Sequence, residues 1–296
     1  MSKYSQNERP ILPLVTGATG NIGARVVNGL LARGSRPRVL VRDAGKARAL
    51  FGDCVDYALG DLSDPRLLAA ACAGVDALFL VNSGADLARR DGLAAAAAKA
   101  AGVGHLVKLS SLGARATGRA ATAVALWHAV GEVAIRDSGV PHTFIQSVGF
   151  MSNALAWQAG IKAAGVVRAS TGDGRIAMVH PDDLAAVAIA VLTAPAQGDR
   201  TLAVTGPAAL TYAEMTALIG AAIGRPLTFV ALSDAEARAG LAHTGMPPAL
   251  IDALVTLWRE VREGQVSVVT GDVERITGRP PTGFPRWAEE NAAAFR

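Results

Sequence analysis

Three glycines at intervals of three, Gly17, Gly20 and Gly23, follow directly on the apolar run Ile11–Thr16. Glycine at this spacing lets the chain turn sharply, brings bare backbone close to an anion, and lets the next helix lie tightly on a sheet. A helix opening near Asn21 aims its unpaired N–H groups and the positive end of its dipole at the same point. With Thr19, Asn21 and Ile22 completing the loop, these features suit a pyrophosphate; an ordinary tight turn is the plainer alternative. Arg42 stands 19 positions past Gly23, at the end of the second apolar run, where the adenosine ribose of a bound dinucleotide would lie. An arginine there suits a 2′-phosphate, whereas the adjacent Asp43 would suit free ribose hydroxyls. The expected cofactor is therefore NADP(H), with NAD(H) as the alternative. A solvated arginine at a strand end needs no ligand at all.

More polar residues fall at the ends of later apolar runs. Gly60-Asp61-Leu62 closes the third, where Asp61 can accept from an adenine amino group or serve an ordinary turn. Asn82-Ser83 ends the fourth and Ser110-Ser111 the fifth, on the rim where a nicotinamide ribose would rest; loop-forming residues are the alternative. No H-E-x-x-H, C-x-x-C or clustered Asp/Glu set occurs, so no metal is expected. Neither G-x-S-x-G nor a P-loop occurs, which argues against a hydrolase or an NTPase.

These residues need a scaffold that presents strand ends side by side. The runs Ile11–Thr16, Arg38–Val41, Val55–Leu59, Ala77–Asn82, His105–Ser110 and His142–Gln146 read as strands, apolar on consecutive positions as in a parallel sheet covered on both faces. Helices are expected between them, near 21–33, 44–51, 65–73, 87–102 and 120–138. The fold class is α/β, a doubly wound parallel (Rossmann) sheet over residues 1–147. Residues 148–296 form a smaller, mostly helical lobe, part of which (about 176–205) returns to the sheet. Capping boxes at Thr211/Glu214 and Ser233/Glu236 open two of its helices. Strands are expected at 176–179, 201–205 and 227–231, and helices at 182–194, 212–223, 234–243, 248–263 and 284–295. A ligand would lie in the crevice above the carboxyl ends of the strands.

Composition agrees with a large buried interior: 51% of the 296 residues are apolar and 18% charged. The net charge of +4 is spread along the chain rather than gathered in a stripe, so nucleic acid is not an expected partner. Cys54 and Cys72 form no disulfide framework, residues 1–10 lack a signal-peptide stretch, and the longest uncharged run carries Pro141, His142 and Gln146. A cytoplasmic protein without membrane spans is expected.

The glycine loop, the Val41-Arg42 strand end, Gly60-Asp61 and Ser110-Ser-Leu-Gly-Ala114 resemble the extended short-chain dehydrogenase/reductases. Glu132, Asp137-Ser-Gly-Val-Pro-His-Thr143, Gly149-Phe-Met-Ser-Asn153 and Asp182-Asp-Leu-Ala-Ala186 resemble its atypical NmrA-like branch. That branch includes NAD(P)H-dependent quinone, azo-dye and triphenylmethane-dye reductases, and also regulators that bind the dinucleotide without catalysis. The superfamily's Tyr-x-x-x-Lys acid is missing: four residues beyond each tyrosine lies Glu8, Asp61 or Thr216. Counted back from Glu132, the tyrosine position falls on Val124 and the lysine position on His128. The resemblance implies direct hydride transfer to a quinone or related aromatic acceptor that takes its proton from a weak acid, for which His128 is the candidate. His128 could instead hold the ribose, or simply pack beside Trp127. Phe150, Met151 and Trp157 would wall a flat apolar pocket and Asn153 would steer a carbonyl, with plain core packing and helix capping as the alternatives. A sensor of NADP(H), or a C=C or C=N reductase or isomerase of a secondary metabolite, are the competing functions. The family also allows a homodimer.

Overall fold

A computed structural model describes residues 11–115, 122–195 and 198–296. The polar residues 1–10 and the expected helix start at 120–121 lie outside the described residues. The chain runs β1 (Pro13–Val15), α1 (Asn21–Leu31), β2 (Arg38–Val41), α2 (Ala44–Phe51), β3 (Asp56–Leu59), α3 (Pro65–Cys72), β4 (Ala77–Leu80), α4 (Leu87–Ala100), β5 (His105–Ser111), α5 (Ala123–Ser138) and β6 (His142–Ser147). It continues through a 3-10 stretch (Met151–Trp157), α6 (Gln158–Ala164), β7 (Val166–Ala169), β8 (Arg175–Ile176), α7 (Pro181–Thr193), β9 (Arg200–Ala203), β10 (Leu210–Thr211), α8 (Tyr212–Ile223), β11 (Thr228–Ala231), α9 (Asp234–Ala242), α10 (Pro248–Arg262), α11 (Asp272–Thr277) and α12 (Phe284–Glu290).

Seven strands form one sheet in the order β3-β2-β1-β4-β5-β6-β9, with parallel registers at β2/β3, β1/β2, β1/β4 and β4/β5. This is a Rossmann-type α/β sheet. The chain winds outward from β1 in one direction and then restarts at β4 in the other, so the switch point lies between β1 and β4, where ligands bind in such sheets. The central runs are buried along their length, every residue of β1 and of β4 being enclosed, whereas the edge strand β3 is only half-buried and exposes Leu59. Asp64 caps α3, accepting from the N–H groups of Arg66 and Leu67, and Pro65 follows at the first helical position, where a missing N–H costs nothing.

The described residues fall into two compact units. One gathers the chain up to Leu109 with Val130–Phe144 and Ala185–Thr201; its core includes Leu14, Leu40, Leu78, Leu106 and Phe144. The other gathers Ser110–Ala129, Ile145–Leu184 and Leu202–Arg296, around Met151, Met215, Trp258 and Trp287. Both capping boxes form as the sequence reads, at Thr211/Glu214 on α8 and Ser233/Glu236 on α9. In α10, Ile251, Val255, Trp258 and Val261 recur at helical spacing and are buried together.

Several short elements differ from the sequence reading. Of the expected 176–179 strand only Ile176 is in a strand, β8 (Arg175–Ile176), which pairs antiparallel with β10 instead of joining the large sheet. Val179 makes a single bridge to Phe150. Within 176–205, the segment that enters the large sheet is β9. The expected helix at 284–295 ends at Glu290 and resumes as a 3-10 turn over Ala292–Ala294. β7, α6 and α11 were not anticipated; each has seven residues or fewer.

The two cysteines have opposite surroundings. Cys72 ends α3 inside the core, and burial pushes its thiol up to about 11 despite Arg38 nearby, whereas Cys54 is exposed. Titration of the native protein with a chromogenic disulfide at pH 8 should therefore release one equivalent, from Cys54, and two after denaturation. Two equivalents from the native state would contradict this packing.

Candidate functional site

The first unit holds a cavity of about 250 Å³ at the β1/β4 switch point. Its lining includes Gly17, Thr19, Arg42, Asp61, Leu62, Asn82 and Ser83, residues selected from the sequence at four separate strand ends. The parallel sheet brings these ends side by side although they run from Gly17 to Ser83 along the chain.

The loop leaving β1 is shaped by steric limits. Gly17 has φ +58°, and a Cβ on it would stand 3.1 Å from the Val81 side chain at the end of β4. A Cβ on Gly23 would fall 2.1 Å from the Gly17 carbonyl oxygen, so the first turn of α1 lies flush on the loop backbone. The Gly20 N–H donates to that same carbonyl at 2.9 Å. Thr16 stitches the loop to β4: its hydroxyl donates to the Val81 carbonyl at 3.0 Å and accepts from the Val81 N–H at 2.8 Å. α1 begins at Asn21 with no side-chain cap and no acidic residue in its first turn, which leaves its positive end open to an anion.

The electrostatics separate Arg42 from Asp43. Asp43 caps α2, accepting from the Lys46 N–H at 3.1 Å, and does not line the cavity; Arg42 does. Arg38, on the same strand, is occupied at the end of α3, donating to the Ala71 and Ala73 carbonyls at 2.9 and 2.7 Å. Asp61 curls over its own turn, accepting from the Ser63 hydroxyl and, at 2.8 Å, the Ser63 N–H. Those bonds hold its carboxyl below the usual carboxylate range, with smaller help from Arg90 and Arg42. Arg90 and Thr16 line the cavity as well, and the sequence reading missed both. Two consecutive arginines at 89–90 were visible, but nothing in a lone helix said which of them would turn inward. The Nε of Arg90 is enclosed without a partner among the described residues.

A dinucleotide fits this residue set on three counts. The loop has no room for a Cβ where backbone must approach phosphate, the amino end of α1 is open, and the charged group at the end of β2 that reaches the cavity is a cation.

The remaining candidates lie in the second unit. Ser110 ends β5 with its hydroxyl 3.4 Å from His128 Nδ1 on α5. Ser111 accepts from the Gly113 N–H at 3.3 Å, shaping its own turn. Val124, one turn before His128, is exposed. Met151 is buried in the core and Trp157 packs on Tyr212 with ring centroids 5.1 Å apart, while Phe150 is half-buried and Asn153 exposed. His180 Nδ1 accepts from the Asp182 N–H at the start of α7 and its Nε2 lies 3.1 Å from Glu290, so it ties helix ends together.

The sequence profile of the NmrA-like family matches residues 12–268. The chain belongs to the NmrA-like family. A Streptomyces griseus relative, (4-alkanoyl-5-oxo-2,5-dihydrofuran-3-yl)methyl phosphate reductase, is 42% identical over 95% of this chain and 98% of its own. The NAD(P)H azoreductase of Xenophilus azovorans is 37% identical, with the same shares covered. Among solved structures, an NADPH-dependent quinone oxidoreductase of Escherichia coli in complex with NADPH superposes with a TM-score of 0.87 at 27% identity, covering 94% of this chain and 99% of that one. Within this NmrA-like chain the loop contact at Gly23 is the most easily broken part of the site. Replacing Gly23 by Ala should weaken NADPH binding at least about tenfold in a fluorescence titration, because the loop backbone must move. Gly240→Ala on α9, where a Cβ meets nothing within 4 Å, is the control that should leave binding unchanged. Unaltered affinity in Gly23→Ala would contradict the role given to the loop.

Proposed function

We propose that this NmrA-like protein is an NAD(P)H-dependent reductase, preferring NADPH, that delivers two electrons to a quinone or a comparably electron-poor conjugated ring. The observation that carries the reading is the cavity lined by the start of the glycine loop, Gly17–Thr19, and by Arg42, with the uncapped α1 following the loop two residues on. The named activities of the relatives support the acceptor class: an azo compound, a quinone and an unsaturated oxo-dihydrofuran ring are all conjugated acceptors.

When bound, a reduced nicotinamide dinucleotide supplies the hydride. The protein's share is to hold, orient and supply a proton. The first-turn N–H groups of α1 with Thr19 and Gly20–Gly23 take the pyrophosphate. Arg42 pairs with the 2′-phosphate, Asp61 and Leu62 flank the adenine, and Asn82 and Ser83 meet the ribose hydroxyls. Conversion of a quinone to a hydroquinone consumes one hydride and one proton. With no tyrosine acid in the chain's Tyr-x-x-x-Lys position, His128 supplies that proton, its Nδ1 steadied by Ser110. The acceptor would be met by Phe150 and Asn153, which are half-buried and exposed, and by Met151, which lines an apolar cavity of the second unit.

The direct test follows NADPH absorbance after a simple quinone is added to the purified protein. Many turnovers per protein are expected, and His128→Ala should lower kcat while leaving the NADPH dissociation constant within about twofold. Binding without turnover across quinones and azo dyes would contradict the reductase reading and favour a dinucleotide sensor. Separately, Arg42→Ala should weaken NADPH by about tenfold or more and leave NADH unchanged, as measured by paired titrations. Equal losses for both cofactors would remove Arg42 from 2′-phosphate recognition.

A further inference from the structure

Beneath the cavity lies an ion pair that the reaction does not use. Lys108 Nζ, in the middle of β5, stands 2.5 Å from Asp91 Oδ2 on α4, and both side chains have 0% exposure. Lys108 is surrounded along its strand by the buried Leu106, Val107 and Leu109. Burial pushes the Asp91 carboxyl up, and the Lys108 ammonium pulls it back. α5 is adapted to the pair: a Cβ on Gly131 would fall 2.2 Å from Asp91 Oδ2, so a glycine is what admits the carboxylate. A buried ion pair is generally no better a stabiliser than two apolar side chains of the same volume. Stability alone therefore does not account for it.

The pair's second contact suggests what does. Asp91 Oδ1 accepts from Asn82 Nδ2 at 3.3 Å, and the same amide donates to the Leu87 carbonyl at 2.9 Å. Asn82 Oδ1 accepts from the Ser83 N–H at 2.9 Å. The amide is thus held at both ends, and the turn from β4 into α4 is fixed with it. Asn82, Ser83 and Arg90, all on this turn or the helix it opens, line the cavity. Arg90 is the neighbour of Asp91, so whatever fixes the rotation of α4 also aims Arg90.

We propose that Asp91 and Lys108 are positioning residues for the dinucleotide: a directional buried contact that sets the Asn82-Ser83 turn and the Arg90 side chain against the cofactor, where an apolar pair would leave α4 free to slide. The inference rests on reading the cavity as a dinucleotide site. It predicts a separation between stability and affinity that a merely structural pair would not show.

Two variants test it from opposite sides. The double variant Asp91→Leu/Lys108→Met removes both charges without leaving either one unpaired. Gly131→Ala keeps both charges but pushes on the carboxylate; an alanine in a helix otherwise favours folding. For each, the thermal midpoint, the NADPH dissociation constant by fluorescence titration, and kcat with saturating NADPH are compared with the unaltered protein. The expected result is a midpoint within a few degrees, NADPH binding weakened about tenfold, and kcat within about twofold. Folded variants that bind NADPH within about twofold of the unaltered protein would overturn the proposal. Loss of affinity that only tracks a fall in the thermal midpoint would also overturn it, since the pair would then be structural. An unaltered protein that fails to bind NADPH would instead overturn the dinucleotide reading, and this inference with it.

Discussion

The first turn of α1 rests on the Gly17 carbonyl with a clearance that no Cβ at position 23 could satisfy. Much else in the first unit depends on that contact. It sets how close α1 comes to the switch point between β1 and β4, and therefore where the helix's open N–H groups end. Thr16 carries the same constraint sideways by bonding to both backbone groups of Val81, which locks the loop to the strand that begins the second half of the sheet. A loop built this way is shaped by its own backbone contacts, Gly20 N–H to Gly17 carbonyl included. Its cost is that position 23 admits no Cβ, while Gly17 and Gly20 leave only 3.1 and 3.2 Å to the nearest atom.

Around that backbone core the side chains divide their work by charge. Carboxylates near the cavity are occupied locally: Asp43 caps α2 and Asp61 closes its own turn with Ser63. Two cations stand on the lining, Arg42 and Arg90, the latter also 3.9 Å from Asp86. This resolves the ambiguity of an adjacent Arg-Asp pair at the end of β2, since the two side chains leave that position for different tasks. The same economy appears in the chemistry. A chain without the Tyr-x-x-x-Lys acid is suited to acceptors that take a hydride readily, and a conjugated electron-poor ring is such an acceptor.

The sheet and the phosphate loop were legible because their signals are local and repeated. Each strand up to β6 is a short apolar run between turns, and each is followed by a helical segment, so the alternation dictates the fold without reference to distant residues. The capping boxes at Thr211 and Ser233 were legible for the same reason. What escaped depends on partners far along the chain. β7 is extended because Val166 pairs with Thr228 and Ala169 with Ala231, some 62 residues away. β8 stops after Ile176 because its partner β10 has only two residues. Lys108 reads as one polar residue in a strand until α4 brings Asp91 to it, and Arg90 reads as surface charge until the cavity closes beside it. Met151 and Trp157 show the limit from the other direction: both pack in or against the core of the second unit, and Met151 also lines an apolar cavity there, so size alone did not separate wall from core.

The central claim is that the cavity at the β1/β4 switch point recognises a 2′-phosphorylated nicotinamide dinucleotide. Calorimetric titration of the unaltered protein with NADPH and with NADH, at the same ionic strength, tests it most directly. The account predicts one site per chain, with NADPH bound at least about tenfold more tightly than NADH. Equal affinity for the two, or no binding of either, would contradict it.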